Sequence, residues 1–328
     1  MGEPLPLALD AMGGDNAPGE IIAGAQMAVD ELAVNVILVG QPERIASFPE
    51  AEGIDVHPAS EIIAMDADGA RAVRSMKDSS LVRAAELVRD GRASAMISAG
   101  NTGATVASAL LRIGRIKGVS RPAVATPIPV PGSTPTVLLD AGAMADCQAA
   151  WLAQFAQMGS VYATKRFGIA EPRVGLLSIG EEASKGNHLT KEAHALLVDT
   201  PGIDFIGNVE GRDIMTDEVD VVVTDGFTGN VVLKTLEGGL KAMVAAVLEA
   251  LAGEPQTLGL LAPLAAQMDP DTYGGAMLLG VDGVCIISHG SSGRNAVVNA
   301  MRVARDMVEA DLVGALAARI APEPTSRR

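Results

Sequence analysis

Residues 219–235, reading VDVVVTDGFTGNVVLKT, constrain this chain more than any other stretch. Val219, Val221, Val222 and Val223 are β-branched and almost uninterrupted, which suits a strand buried on both faces. Asp225-Gly226 ends the run where a turn must follow, and a helix is expected from near Gly229. Strand, glycine turn and helix N-terminus together aim backbone N–H groups and a positive dipole end at one spot, which suits an anion. The design recurs at 95–111, AMISAGNTGATVASALL, where Gly100, Asn101, Thr102 and Gly103 hold the turn. Two such turns predict one anion-binding cleft.

The rest of the chain alternates strand and helix. Residues 5–9 predict a strand whose C-terminal end carries two carboxylates, Asp10 and Asp15, and Pro18 is placed to open a helix. Further strands are expected at 34–39, 54–57, 124–130, 136–139, 174–179 and 284–287. Helices are expected at 79–90, 147–166, 188–197 and 294–320. Residues 61–80, with Arg71, Arg74 and Lys77 among two methionines, read as a mobile surface loop. The loop 180–187 carries Glu181, Glu182 and Lys185, and His289-Gly290-Ser291-Ser292 follows the last strand. This alternation predicts an α/β fold, a mostly parallel sheet covered on both sides, with ligands beyond the carboxyl ends of the strands. A single domain over 1–328 with a helical hairpin inserted at about 236–272 is the expected organisation, and two half-domains around a cleft are the alternative.

Composition removes several classes of function. A formal net charge of −15 argues against nucleic acid, whose phosphates demand clustered cations. Two cysteines, Cys147 and Cys285, and four scattered histidines support neither a disulfide framework nor a metal site, so no metal is expected. The apolar stretches 93–111 and 122–139 are broken by glycine and proline, so no membrane span is expected and the protein is placed in the cytoplasm. An acidic chain that meets an acidic partner needs a local patch of cations; Arg112, Arg115, Lys117 and Arg121 form a run with no acid in it. Neither a Gly-x-Ser-x-Gly elbow nor a P-loop is present, which leaves a covalent mechanism without support. What recurs is chemistry suited to phosphate: Thr102, Gly103, Asp225, Thr228, Gly229 and Asn230 in the turns, Arg74, Lys77 and Lys185 as cations, and the hydroxyls of Ser291 and Ser292.

The motifs LALDAMGGDNAP, SAGNTGA, GNVEGRDI, VVVTDGFTGNVVLKT, YGGAMLLG and HGSS resemble the PlsX family of bacterial phosphate acyltransferases, over residues 7–305. The resemblance implies a three-layer α/β/α sandwich similar to isopropylmalate dehydrogenase and phosphotransacetylase, and a homodimer. It implies transfer of a fatty acyl group from acyl carrier protein to inorganic phosphate, without a cofactor. The resulting acyl phosphate would be used by a membrane glycerol-3-phosphate acyltransferase. The chain departs from the family pattern at Met144 and Ser178, where Asn is usual, and at Gly69, where Pro is usual. Phosphate is a good oxygen nucleophile and a thiolate a fair leaving group, so positioning and charge stabilisation are expected to dominate. Lys185, His289 and Asn101 are the candidate catalytic residues, and Arg112, Arg115, Lys117 and Arg121 the candidate docking site for the acidic carrier. A phosphotransacetylase-like enzyme acting on coenzyme A thioesters is the alternative. In the hairpin, Leu258, Leu260, Leu261 and Leu264 form an apolar tip expected to meet a membrane surface or a second subunit.

Overall fold

The computed structural model describes residues 4–251, 259, 261, 266–268 and 270–320. In chain order the first part holds β1 (Leu7–Asp10), α1 (Gly19–Leu32), β2 (Val36–Gly40), β3 (Asp55–Pro58), α2 (Gly69–Ser75), α3 (Ser80–Arg89), β4 (Ala95–Ser98) and α4 (Thr102–Ser108). The middle holds β5 (Ala123–Ile128), β6 (Thr136–Leu139), α5 (Ala149–Phe167), β7 (Arg173–Leu177), α6 (His188–Val198), β8 (Asp204–Val209), β9 (Val221–Val223) and α7 (Gly226–Ala250). The chain then gives β10 (Ala276–Leu279), β11 (Val284–Ile287), α8 (Arg294–Glu309) and α9 (Leu312–Ile320).

Two compact units result: Met1–Pro122 with Tyr273–Arg328, and Ala123–Thr272. The first unit builds its sheet in the order β3-β2-β1-β4-β11-β10, parallel except for β10, which runs antiparallel to β11. The four residues of β1 are all buried, as expected of a central strand in a doubly covered sheet. Helices α1 and α8 pack on each other and onto strands of this sheet, while α3 packs separately against β1, β2 and β4. The second unit runs β5-β6-β9-β7-β8, parallel except for β5 against β6. Its core gathers Ile128, Leu138, Leu177, Val209, Ile214, Val219 and Val222, and Val232, Leu233 and Leu236 of α7 pack onto it. The expected α/β class, a mostly parallel sheet flanked by helices, is what the chain adopts.

Local chemistry explains where the elements differ from expectation. Residues 61–80 are not all loop: α2 forms there because the Asp68 carboxylate accepts the Arg71 N–H at 3.0 Å and caps the first turn. Gly69 admits that helix, since a Cβ there would lie 2.3 Å from the Ala104 nitrogen of α4. The helix expected over 294–320 is two helices, separated at Asp311, whose φ of 51° breaks the run. Strands β8 and β10 were not among the expected elements. Helix α7 begins at Gly226 rather than near Gly229, and every residue of 241–250 is exposed, among them Met243, Val244, Val247 and Leu248. Of the apolar tip, Leu258, Leu260 and Leu264 lie outside the described residues, and Leu261 is half-buried.

Candidate active site

In the first unit, Asp10 ends β1 and is 2 % exposed. Its carboxylate accepts the Ser98 hydroxyl at 2.8 Å and the Met12 N–H at 3.2 Å, and the Ser98 oxygen in turn accepts the Gly100 N–H at 3.0 Å. Asp10 therefore braces the β4–α4 turn from below. Burial pushes its pKa above the usual carboxylate range, against the hydrogen bonds from Ser80 and Ser98. Asn101 caps α4 through its side-chain oxygen, which accepts the Ala104 N–H at 2.9 Å. Its amide nitrogen donates to the carbonyls of Met65 at 2.8 Å and Ala67 at 2.9 Å. Both ends of the Asn101 side chain are thus engaged by the fold, which leaves the exposed Thr102 and Gly103 to present the turn to a ligand. Arg71, Arg74 and Lys77 are exposed on and just after α2, with no ion pair among the described residues.

The loop after β11 lies on the loop after β1. The Asp15 N–H donates to the Gly290 carbonyl at 2.8 Å, and the Asn16 side chain donates to the Ser291 carbonyl at 3.1 Å. His289 and Ser291 are exposed, with the serine hydroxyl 3.4 Å from the imidazole Nδ1. Ser292 differs from what the sequence suggested: it is 1 % exposed, and its hydroxyl is buried rather than open to a ligand. Glu20 of α1 fixes the start of α8, accepting from the Arg294 N–H at 2.9 Å and from its guanidinium Nε at 3.0 Å. The Arg294 guanidinium holds the Glu20 carboxyl down at about 2, below its ordinary 4.5. A depressed acid stabilises the folded chain above its unfolded value and ceases to do so as pH falls through the folded one. Glu20→Gln is therefore expected to flatten the loss of thermal stability between pH 4.5 and about 2 in an unfolding titration, relative to the parent chain.

The second unit repeats the brace. Asp140, after β6, is fully buried and accepts four backbone N–H groups: Val124 at 2.9 Å, Gly142 at 3.0 Å, Ala143 at 2.9 Å and Met144 at 2.6 Å. The first turn of α7 sits directly on it. A Cβ at Gly229 would come within 1.9 Å of the Asp140 carbonyl oxygen, so Gly229 allows this approach rather than greeting a ligand. Asp225 caps α7, accepting the Thr228 N–H at 2.9 Å and hydroxyl at 2.8 Å. Asn230 is exposed and Thr228 half-buried at the helix start.

Next to that turn, across the parallel β7–β9 pair, is the loop carrying Lys185. The lysine stem lies over Gly180, where a Cβ would be 2.9 Å from its Cγ. The Glu182 carboxylate lies over the same glycine, its Oε2 3.1 Å from that Cβ, while Glu181 is engaged by Arg212 at 3.3 Å and Arg212 also holds Glu210 at 2.7 Å. Lys185 is exposed and has no ion pair among the described residues. An exposed cation without an ion pair, on the loop neighbouring a helix N-terminus, suits the binding of a small dianion.

The candidate docking run is less free than its sequence suggested. Arg112 lies 3.7 Å from Glu86, Arg115 donates to the carbonyls of Val119 and Ser120, and Arg121 donates to the Ser120 carbonyl at 2.8 Å. Lys117 is exposed. Among the described residues no group of three or more His, Cys, Asp or Glu could hold a metal, and no helix is long and apolar enough to cross a membrane.

Residues 5–314 match the family described as fatty acid synthesis protein. The chain belongs to that family. Relatives include a protein of Elusimicrobium minutum (strain Pei191) named phosphate acyltransferase, 50% identical over 328 residues that cover 96% of each chain. A phosphate acyltransferase of Desulfitobacterium hafniense (strain DSM 10664 / DCB-2) is 48% identical over 94% of this chain and 95% of its own. The motif resemblance is thereby borne out. Among solved structures, a phosphotransacetylase from Streptococcus pyogenes superposes with a TM-score of 0.63 at 20% identity, covering 94% of this chain and 95% of that one. The EutD phosphotransacetylase from Staphylococcus aureus gives 0.60 at 17%, covering 93% and 94%. At such identities the likeness is one of fold, in line with the expected kinship to phosphotransacetylases. Asn208, inside the quoted GNVEGRDI motif and 6 % exposed, was not among the expected site residues, yet its side chain donates to the Glu182 carbonyl of the Lys185 loop at 2.9 Å.

Proposed function

We propose that the protein is a phosphate acyltransferase that moves a fatty acyl group from the thioester of acyl carrier protein to inorganic phosphate. The observation that carries this reading is the near full-length identity to proteins named phosphate acyltransferase. The free Lys185 beside the α7 turn supports phosphate as the acceptor. An oxygen of hydrogen phosphate bonds to the thioester carbonyl carbon, the carbon–sulfur bond breaks, and the phosphate proton leaves with the thiolate as a thiol. Lys185 and Asn230, both of the second unit, hold the phosphate and offset its charge. No nucleophile from the chain and no cofactor is needed. Mixing the protein with acyl carrier protein thioester and phosphate should release the carrier thiol and form acyl phosphate, with hydroxylamine then giving acyl hydroxamate in excess of the direct reaction of the thioester seen without phosphate or without protein. Absence of product overturns the reading, and equal turnover of coenzyme A thioesters would make the enzyme phosphotransacetylase-like.

The reading extends to partners. Arg115 and Lys117 are the exposed cations of the proposed carrier-docking run, Arg115 being tied to backbone carbonyls, and Lys117→Glu is expected to raise KM for the carrier thioester about twofold to fivefold while leaving phosphate KM unchanged. An unchanged carrier KM places docking elsewhere. The apolar residues Met243, Val244, Val247 and Leu248 of α7 suit a second copy of the chain, giving a homodimer. Peripheral attachment of a cytoplasmic enzyme at the tip would deliver acyl phosphate to a membrane glycerol-3-phosphate acyltransferase. Leu260→Glu with Leu261→Glu is expected to abolish liposome flotation while the dimer and solution activity persist; a monomeric double variant, or one that still floats, removes the tip as the anchor.

A further inference from the structure

Asn208 lies at the end of β8, the edge strand of the second unit, and is a buried side chain whose two polar ends are both used. Its Nδ2 donates to the Glu182 carbonyl at 2.9 Å, and the same carbonyl accepts the Lys185 N–H at 2.9 Å. Its Oδ1 lies 3.0 Å from Nδ1 of His194 on α6, so this nitrogen carries the proton. The His194 ring in turn packs edge-on against Phe205, with centroids 5.2 Å apart. Phe205 and Asn208 are three residues apart on one strand, and regular alternation would send them to opposite faces.

A bulge resolves this. Val174 pairs with Phe205 but Gly175 pairs with Gly207, so Ile206 drops out of register and is 43% exposed. Gly207 adopts φ 105°, a conformation that L side chains rarely take. The extra residue turns Asn208 onto the same side as Phe205, facing the helix that carries His194 and the loop that carries Lys185. The loop is tied at its start as well, where the Ser178 N–H donates to the Val209 carbonyl at 2.8 Å.

We infer that Asn208 is a positioning residue: aimed by the β8 bulge, it fixes the Glu182 carbonyl and through it the Lys185 backbone, so that the lysine ammonium is held ready for the phosphate. This rests on the proposal that Lys185 binds phosphate, and it names a group that never touches substrate. With Asn208 absent, the loop keeps its helix cap at Asn187, which accepts the Thr190 N–H at 2.9 Å, but loses the bond that sets its middle. The cost should fall on the ligand-binding term, because the lysine must then be ordered at the moment of binding.

The test is a double-mutant cycle on the full chain, reading phosphate KM, kcat and thermal unfolding for Asn208→Ala, Lys185→Ala and the pair. Asn208→Ala should raise phosphate KM about tenfold, the effect of one lost hydrogen bond to a buried group, with kcat for the bound complex changed far less. In the pair, the Asn208 substitution should add less than about twofold to the loss from Lys185→Ala, because the group it positions is gone. Asn208→Asp, nearly the same shape but without the Nδ2 donor, should behave as the alanine variant does and serves if that one does not fold. If Lys185→Ala impairs phosphate binding while both Asn208 variants stay within twofold of the parent, the inference is overturned and the phosphate reading stands. If the losses multiply in the pair, Asn208 acts independently of Lys185 and the inference is equally overturned. If Lys185→Ala itself leaves phosphate KM and kcat unchanged, the proposal about Lys185 fails and takes the inference with it.

Discussion

Lys185→Ala is expected to lower kcat/KM for phosphate by about 10²- to 10³-fold, the range seen when one preorganised charge or donor is removed from a transition state. The size follows from the surroundings. Lys185 is exposed with no ion pair among the described residues, while the neighbouring Glu181 is held by Arg212, so its charge is not spent before the ligand arrives. The α7 N-terminus that shares the neighbourhood is capped by a carboxylate, Asp225, which lowers its own appeal to an anion and leaves more of the work to the lysine. Stability should change by no more than about 0.5 kcal/mol, because an exposed side chain without partners contributes little to folding. Lys185→Arg should restore part of the activity, since it keeps the charge but changes the geometry of the donors. Steady-state kinetics with phosphate varied, alongside thermal unfolding, checks both halves of the expectation. Retention of near-parent kcat/KM in the alanine variant would remove Lys185 from the site.

How far the sequence reveals this arrangement depends on whether a residue's role is local. The β9–α7 and β4–α4 units could be read directly, because a β-branched run, a glycine turn and a helix start are neighbours in the chain. The cap at Asn101 could be read as a turn residue, but not the second use of its amide, which reaches carbonyls 34 and 36 residues away. Asp10 is legible as a carboxylate at a strand end, and Asp140 follows directly on the strand expected at 136–139; that they brace glycine turns depends on packing between strands. Strand β8 escaped because its bulge breaks the alternation that marks a strand, although a lone glycine in DFIGNV is the local sign of such a bulge. Helix α2 escaped because seven residues, two of them charged, give too short a period to stand out. The docking run looked free because sequence shows charges but not the carbonyls and the Glu86 carboxylate that engage them.

Two glycines of α7 are expected to respond to alanine with opposite signs. At Gly229 a Cβ would stand 1.9 Å from the Asp140 carbonyl oxygen and 3.0 Å from its carbon, both backbone atoms that no rotamer change can move. The Asp140 loop cannot easily yield either, since its carboxylate is tied to four N–H groups and is fully buried. Gly229→Ala must therefore lift the first turn of α7 off the strand ends, and a cost of about 3 kcal/mol or more is expected, a fall in Tm of about 6 °C or more. Gly238, nine residues further along the same helix, is exposed and would meet nothing within 4 Å. There alanine removes only the conformational freedom of glycine, and Gly238→Ala is expected to stabilise by about 0.5–1 kcal/mol. Propensity alone would make both substitutions favourable. Thermal unfolding of the two variants side by side separates the effects: a Gly229→Ala chain as stable as the parent would mean that α7 is not seated on Asp140, and with it the rigid turn that presents Asn230 would be lost as an explanation of phosphate binding.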